Sequence, residues 1–457
     1  MRILAGLTFA AAVAIGGCTV DHAKEVATWR QVLDAKMPAP AESLPPQEVL
    51  TLNQALAMAN RQNERLALTG EDYLQALIDK DRAVAAFLPS ISIKPAYTRL
   101  QKFTIPGPFA GVFPNPTTDV PVHAELNVFN GFRDLANIER AEVIGKYRRA
   151  VLLDLQASIL ADTATVYYQI LTLERQIGVL SNSVKVQEDR VADMRAKLKA
   201  GVARPLDVAQ TEAEAAATRT SLIDARRNLA NARAGLAFLI GVPAVPNPLA
   251  DGFEIPAVGS LEELKKQAAA DRPDLAAAHA LFAAAKKGLQ VALGAYLPSV
   301  KVDFDYFLSK ESFPPMSHWI FGVLADQPIF DGGRIYANVR TAYSLVRQAQ
   351  QYESLTERQV AEQVTVAHEN LESSGRRIGD LETEVAAARQ AYELAGQSYD
   401  VGLATNLERL VAQDRLLEAE LQLAAERLNR KILYFRLAEA VGRLVQDVAA
   451  KPQTGLF

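Results

Sequence analysis

The residues that most often carry chemistry are sparse in this sequence. Its five histidines, His22, His123, His279, His318 and His368, include no pair at metal-ligand spacing. A single cysteine, Cys18, excludes a disulfide framework and any multi-cysteine zinc or iron–sulfur site. The patterns GxxxxGKS/T, strand-to-helix GxGxxG, HExxH and GxSxG are absent, so phosphate-cradling loops, zinc hydrolases and serine hydrolases lose their sequence support. Carboxylate pairs such as Asp21 and Glu25 lie on solvated stretches that no pocket motif frames. Two other acids stand out by position. Asp207 follows a turn at Gly201, and Glu408 follows a matching turn at Gly402. Each falls in the first turn of a helix, where negative charge complements the dipole. The chemistry open to them is electrostatic, and neither an enzyme nor a cofactor is expected. With 49 basic against 53 acidic side chains and no basic run interleaved with aromatics, nucleic acid is not an expected partner.

The elements that position these residues begin with a targeting segment. Met1 and Arg2 precede the 13-residue apolar stretch Ile3–Ile15 and the triplet Gly16-Gly17-Cys18. A positive start, a short apolar core and small residues at its end describe a secretory signal, too short to span a bilayer as a helix. The position of Cys18 resembles the lipobox of bacterial lipoproteins. That resemblance implies cleavage before Cys18 and a covalent lipid on it. Thr19 in place of a retaining Asp implies the outer membrane. The alternative is an ordinary cleaved signal with an incidental cysteine. After Cys18 no apolar stretch reaches the ~20 residues of a membrane helix, so a mature chain that crosses a membrane must cross as β-strands.

The chain repeats itself. Phe87-Leu88-Pro89-Ser90-Ile91 is matched 209 residues later by Tyr296-Leu297-Pro298-Ser299-Val300. Phe129-Asn130-Gly131-Phe132-Arg133 is matched 201 residues later by Phe330-Asp331-Gly332-Gly333-Arg334, and Gly201-Val202-Ala203 by Gly402-Leu403-Ala404 at the same offset. The difference falls in the longer loop Thr104–Thr118. Between the landmarks, Val120, Val122, Ala124, Leu126 and Val128 alternate with Pro121, His123, Glu125 and Asn127. Val300, Val302, Phe304, Tyr306 and Leu308 alternate with Lys301, Asp303, Asp305 and Ser309. Period two is the signal of a strand with unlike faces, and ~9–11 tilted residues span a bilayer. Trp319 and Phe321 suit an interfacial aromatic girdle. An amphipathic hairpin of a soluble sheet gives the same alternation. Four strands per chain cannot close a barrel, so transmembrane strands require chains to share one. Two chains give an interior filled by side chains, and three give an open lumen.

Long helices follow the strands. From Leu152 to Leu198, positions stepping by three and four are apolar except Asp162 and Gln187. Leu371, Ile378, Leu381, Val385, Ala388, Tyr392, Ala395 and Tyr399 keep the same spacing. Sustained seams of this kind read as coiled coil. The proline-free stretch Asn137–Lys199 predicts a helix of ~95 Å. Gly201 and Gly402 supply left-handed stops, and Pro205 opens the next helix. Gly241–Pro273 is rich in Pro and Gly, holds one short helix over Leu261–Ala270 and joins the two halves; with Met37–Pro46 and the C-terminal tail it would form a belt beside the helices.

At this point the chain resembles the TolC-like outer membrane efflux proteins, in their lipoprotein branch. The residues are Leu50-Thr51-Leu52-Asn53-Gln54-Ala55-Leu56, Leu88-Pro89-Ser90, Arg272-Pro273-Asp274-Leu275, Leu297-Pro298-Ser299, Pro328-Ile329-Phe330-Asp331-Gly332-Gly333-Arg334 and Tyr399-Asp400-Val401-Gly402-Leu403, with the ending from Arg409-Leu410-Val411-Ala412-Gln413 to Ala440-Val441-Gly442. The resemblance implies a mainly α protein with transmembrane β: a duplicated helix–strand–strand–long helix–helix unit, assembled as a homotrimer with a twelve-stranded barrel and a periplasmic coiled-coil tunnel. Its partners would be a periplasmic adaptor, an inner-membrane transporter and outer membrane lipid. Carried over by residue, Gly201, Val202, Val401, Gly402 and Leu403 would touch the adaptor. Asp207, Glu408 and Tyr399 would form a periplasmic gate. Ala404 and Val411 stand where some members have a gate-locking Arg and a second acidic ring. Arg204 is a candidate partner of Asp207 or of a neighbouring Tyr399.

The expected organisation is a signal peptide over 1–17, a lipidated extension over 18–50, a first repeat over 51–240 (strands 88–103 and 119–129, hairpin 131–240), an equatorial linker over 241–272, a second repeat over 273–445 (strands 297–310 and 318–329, hairpin 334–445) and a tail over 446–457. The expected function is a passive outer membrane duct for small molecules such as drugs or metal ions. The alternatives are the outer component of a type I protein secretion system and, from another class, a periplasmic coiled-coil adaptor or scaffold.

Overall fold

The computed structural model describes residues 20–35, 37, 49–99, 101, 116–312 and 317–449. Cys18, Pro38–Pro46, most of the loop Thr104–Thr118 and the last residues of the tail lie outside them. In chain order the elements are α1 (His22–Asp34), α2 (Leu52–Gln62), α3 (Glu64–Ala85), β1 (Ser90–Ile93), β2 (Ala96–Thr98), β3 (Thr117–Asn130), α4 (Arg133–Lys199), α5 (Pro205–Leu239), α6 (Leu261–Asp271), α7 (Pro273–Gly294), β4 (Ser299–Ser309), β5 (Trp319–Asp326), α8 (Arg334–Asp400), α9 (Asn406–Val441) and α10 (Leu444–Ala449). The molecule is mostly helical with one small antiparallel sheet. Its duplication is plain in the helices: α2 and α6 have 11 residues each, α3 and α7 have 22, and α4 and α8 have 67. No helix among the described residues is long and apolar enough to cross a membrane.

The chain forms two compact units. One comprises Glu71–Val151 and Asp274–Thr356 and holds the sheet. Its strand order is β1-β3-β4-β5, with β2 also on β3, so β3 and β4 join the two repeats. The strand expected over 88–103 is broken at Lys94-Pro95, because proline cannot donate to a ladder. β3 accommodates Pro121 at a register shift beside Val120. Cross-strand register stacks Ile91, Ala124, Phe304 and Phe321 on one face, with Ile93, Val122, Tyr306 and Trp319 in the next row. The opposite face carries His123, Glu125, Asp303 and Asp305. Ile91, Tyr306, Trp319, Phe321 and Val323 are all exposed in the single chain.

Each strand pair hands over to its long helix through two successive left-handed residues. These are Gly131-Phe132 in the first repeat and Gly332-Gly333 in the second. At the first of these turns the backbone meets the end of α7 closely. A Cβ on Gly131 would stand 2.2 Å from the Gly294 carbonyl oxygen, and one on Gly294 would stand 2.4 Å from that of Gly131.

The other unit comprises Met1–Gly70, Leu152–Pro273 and Glu357–Phe457. Its core is built from Tyr167, Tyr168, Leu152, Ile159, Leu160, Ile170, Leu56, Leu66, Leu236 and Phe435. Asp162, one of the breaks in the apolar seam, points to Arg436 at 2.9 Å. The linker between the repeats is tied down by polar anchors. The Tyr167 hydroxyl lies 2.8 Å from the Leu50 carbonyl and 2.7 Å from that of Ala250. Arg233 donates to the carbonyls of Val245 and Asn247 and to Glu174, at 2.8, 3.0 and 2.7 Å. Lys431 meets Asp251 at 2.5 Å. These bonds hold a Pro-rich segment that makes few ladder bonds of its own.

Candidate functional site

The two hairpin tips of the helical unit repeat one construction. Gly201 ends α4 with φ of 77° and Gly402 ends α8 with φ of 78°. Val202 N–H bonds the Lys197 carbonyl and Gly201 N–H that of Leu198, both at 3.0 Å. In the second tip Leu403 N–H bonds Ser398 at 2.8 Å and Gly402 N–H bonds Tyr399 at 3.0 Å. This is the Schellman pattern, in which the residue after the glycine usually packs back on its helix. Here Val202 and Leu403 are 74% and 84% exposed, and Val401 is 70% exposed. Both tips therefore present apolar side chains that the chain itself does not cover.

The next helix begins with an acid at its third position in both hairpins. Asp207 accepts from Arg204 N–H at 3.0 Å and from its guanidinium at 3.1 and 2.9 Å. The Arg204 hydrogen bonds hold the Asp207 carboxyl below its ordinary range against the opposing effect of burial. Glu408 and Thr405 form a full capping box: Glu408 accepts from Thr405 N–H at 2.7 Å, and the Thr405 hydroxyl accepts from Glu408 N–H at 3.2 Å. Those bonds, the backbone one foremost, also lower the Glu408 carboxyl. Within one chain Arg204 thus pairs with its own Asp207, and both acids stabilise helix starts.

Tyr399 has a different set of neighbours. Its hydroxyl reaches Met194 Sδ at 3.7 Å. Arg409 lies 4.3 Å and Lys197 5.2 Å from the ring centroid, within cation–π range. Arg409, only 7% exposed, donates to Asn406 at 3.0 Å. Asn406 in turn reaches the Asp207 carbonyl at 3.4 Å and the Thr211 hydroxyl at 3.3 Å. Further from the tip, Arg190 bonds the Tyr392 hydroxyl. Of the three expected gate residues, Asp207 and Tyr399 are therefore connected through Asn406 and Arg409, while Glu408 bonds its own cap at Thr405. Sequence reasoning passed over these two residues. Their signal was present, since Asn406, Arg409 and Gln413 step by three and four along a helix face and all three are buried.

Between the hairpins, Asp414 of α9 faces Glu214 of α5. Burial, together with the neighbouring Glu214 charge, pushes the Asp414 carboxyl up to about 6. A carboxyl raised by folding costs stability when ionised, so the chain gains stability as pH falls through 6 toward the unfolded value. A shift of this size is worth ~3 kcal/mol, and solvent screening of a part-exposed pair reduces it to ~1 kcal/mol. Asp414→Asn is expected to raise the melting temperature at pH 7.5 and to flatten its rise between pH 7 and 5. A variant that melts in parallel with the parent across that window would remove this pair from the pH response.

With this geometry in hand, comparison with known proteins decides the family. The model described as outer membrane efflux protein matches residues 56–242 and 264–443, which is most of the chain and falls into the same two repeats. The chain belongs to the outer membrane efflux protein family. Among curated relatives of this efflux protein, the toluene efflux pump outer membrane protein TtgF of Pseudomonas putida is 24% identical over 407 residues, covering 86% of this chain and 83% of the relative. The outer membrane efflux protein BepC of Brucella suis biovar 1 is 23% identical over 337 residues, covering 72% and 73%. Among solved structures, the outer membrane protein VceC of Vibrio cholerae superposes with a TM-score of 0.75 at 19% identity, covering 86% of this chain and 96% of that one. The family is one of outer membrane transport channels.

Proposed function

We propose that this efflux protein is a passive outer membrane duct, completed by three copies of the chain, that exports small molecules handed to it by an inner-membrane transporter through a periplasmic adaptor. One observation carries the reading. The sheet has an apolar exposed face, a charged opposite face and unpaired outer edges at β1 and β5 among the described residues. In lipid such edges must be paired, and the partners at hand are the same edges of further copies. Three copies would supply a barrel wide enough for a lumen lined by the charged face of β3 and β4, and the long helices would form a tunnel.

Family position and exposure both support adaptor contact at Gly201, Val202, Val401, Gly402 and Leu403. Asp207, Glu408 and Tyr399 are proposed to narrow the entrance, with Arg409 supplying the cation over Tyr399 where Ala404 offers none. Rings of acids around a threefold axis repel one another and attract cations. Energy coupling belongs to the transporter. The small organic substrate class follows the toluene named for TtgF.

The test is capture from cells. Thr405 is committed to its cap, so the cross-linking cysteine belongs at the exposed Leu403. Leu403→Cys is expected to trap an adaptor together with a proton-driven pump. Trapping an ATP-driven exporter with a large secreted protein would favour type I secretion, and no adaptor at the tip would overturn the docking assignment.

Cys18 is proposed to carry lipid that anchors the mature N-terminus to the outer membrane. Labelling with a palmitate analogue is expected to mark the parent protein and to vanish in Cys18→Ser. Equal labelling of both would place the acyl chain elsewhere.

A further inference from the structure

On the charged face of the sheet, β3 and β4 bring together a block of residues that neither export nor barrel closure requires. The register pairs His123 with Asp305 and Glu125 with Asp303, directly across the two strands. His123 Nδ1 lies 2.8 Å from Asp305 Oδ1. In the neutral tautomer that donates from Nδ1 to Asp305, Nε2 carries the free lone pair. Nε2 stands 3.7 Å from Glu125 Oε2. The other Glu125 oxygen is drawn to Lys301 at 3.5 Å. Asp303 Oδ1 is buried and has no hydrogen-bond partner, an arrangement costly for a carboxylate unless something positive meets it.

The ligand atoms of His123, Glu125 and Asp303 all lie within 4.8 Å of one another. A tetrahedral ion with bonds of ~2.0–2.1 Å holds its ligands ~3.3 Å apart. Closing the block around such an ion takes small side-chain shifts. On β5 the residue opposite Asp303 is Gly322, so the cross-strand position itself carries no side chain; the nearest on that flank is Leu324, whose Cδ1 lies 3.6 Å from where a Gly322 Cβ would stand. Asp305 then plays the part that carboxylates commonly play behind a ligating histidine, fixing tautomer and ring orientation.

We propose that His123, Glu125 and Asp303 form a binding site for a divalent first-row transition cation, oriented by Asp305. One imidazole and two carboxylates suit zinc and its neighbours better than calcium or magnesium, whose sites are built from oxygen alone. The site lies within one chain, so it stands or falls separately from the duct. Absence of the ion would leave the export reading intact.

The full-length protein, purified in detergent and stripped with chelator, is to be dialysed against zinc alone and its bound metal counted. Cobalt substitution supplies a visible spectrum as a second readout. About one zinc per chain is expected. His123→Ala and Asp303→Asn should each reduce it to background and abolish the cobalt bands, and Asp305→Asn should weaken binding 10–100-fold. The cluster of half-buried His368 with exposed Glu369 and Glu372 is the control, and His368→Ala should change nothing. Two results would overturn the site: a parent protein that retains no more zinc than its His123→Ala variant, or stoichiometry lost in His368→Ala instead. Circular dichroism identifies any variant that fails to fold, and the isosteric Asp303→Asn keeps the question decidable.

Discussion

Gly131→Ala is expected to be the most damaging single methyl in the sheet unit. Two penalties coincide there. The residue sits at φ of +59°, where an L side chain pays ~1–2 kcal/mol. Its Cβ would also stand 2.2 Å from the Gly294 carbonyl oxygen, a backbone atom that cannot rotate away. Overpacking of that kind adds ~1–3 kcal/mol, for ~2–5 kcal/mol in all, a large fraction of the margin of an ordinary domain. Gly294→Ala should cost less, ~1–3 kcal/mol, since its backbone is not left-handed and only the approach of its Cβ to the Gly131 carbonyl oxygen, at 2.4 Å, remains. Gly402→Ala separates the two causes. It has φ of +78° but open space around the added carbon, so it should cost only the conformational ~1–2 kcal/mol. Thermal melting and the amount of folded protein in the outer membrane fraction would check the ranking. If Gly131→Ala were as mild as Gly402→Ala, the close approach at the end of α7 would be wrong.

The second large effect is expected at Arg409. Its guanidinium covers the Tyr399 ring and donates to Asn406, and Asn406 reaches across to the Asp207 carbonyl. Arg409→Ala removes a desolvated cation–π contact of ~2 kcal/mol and a charge-assisted hydrogen bond of ~1.5–3 kcal/mol. The join between the two tips should loosen, and single-channel conductance in a planar bilayer should rise several-fold. Glu408→Ala removes one half of a capping box, costing ~1 kcal/mol, and should raise conductance less. Arg409→Lys keeps the charge and loses the planar fork, so it should fall between. Unchanged conductance in Arg409→Ala, with assembly intact, would show that this join does not set the resting aperture.

Much of this architecture was legible one residue at a time. The steps of three and four from Leu152 to Leu198 describe the face along which α4 buries Leu152, Ile159, Ile170, Leu180 and Met194. The alternation in Val300–Ser309 describes the two faces of β4. The glycines at 201 and 402 mark the ends of the long helices, because no other residue enters the left-handed region so freely. Each of these signals is local. Backbone sterics and side-chain period act within a few residues, so the linear chain records them.

What escaped the sequence depends on residues far apart in it. Asn406 meets Asp207 and Thr211 across 199 and 195 positions. His123 meets Asp305 across 182. Nothing in either local pattern says that these polar groups share one environment. That is decided when β3 takes its register on β4 and when α9 lies against α5, and a shift of one residue on β4 would turn Asp303 and Asp305 away from His123. The sequence by itself therefore determined the long helices, the alternating strands β3 and β4, the duplication and the turns, because these follow from local geometry. Only the tertiary structure decided which charges face one another, because that depends on how separate elements pack.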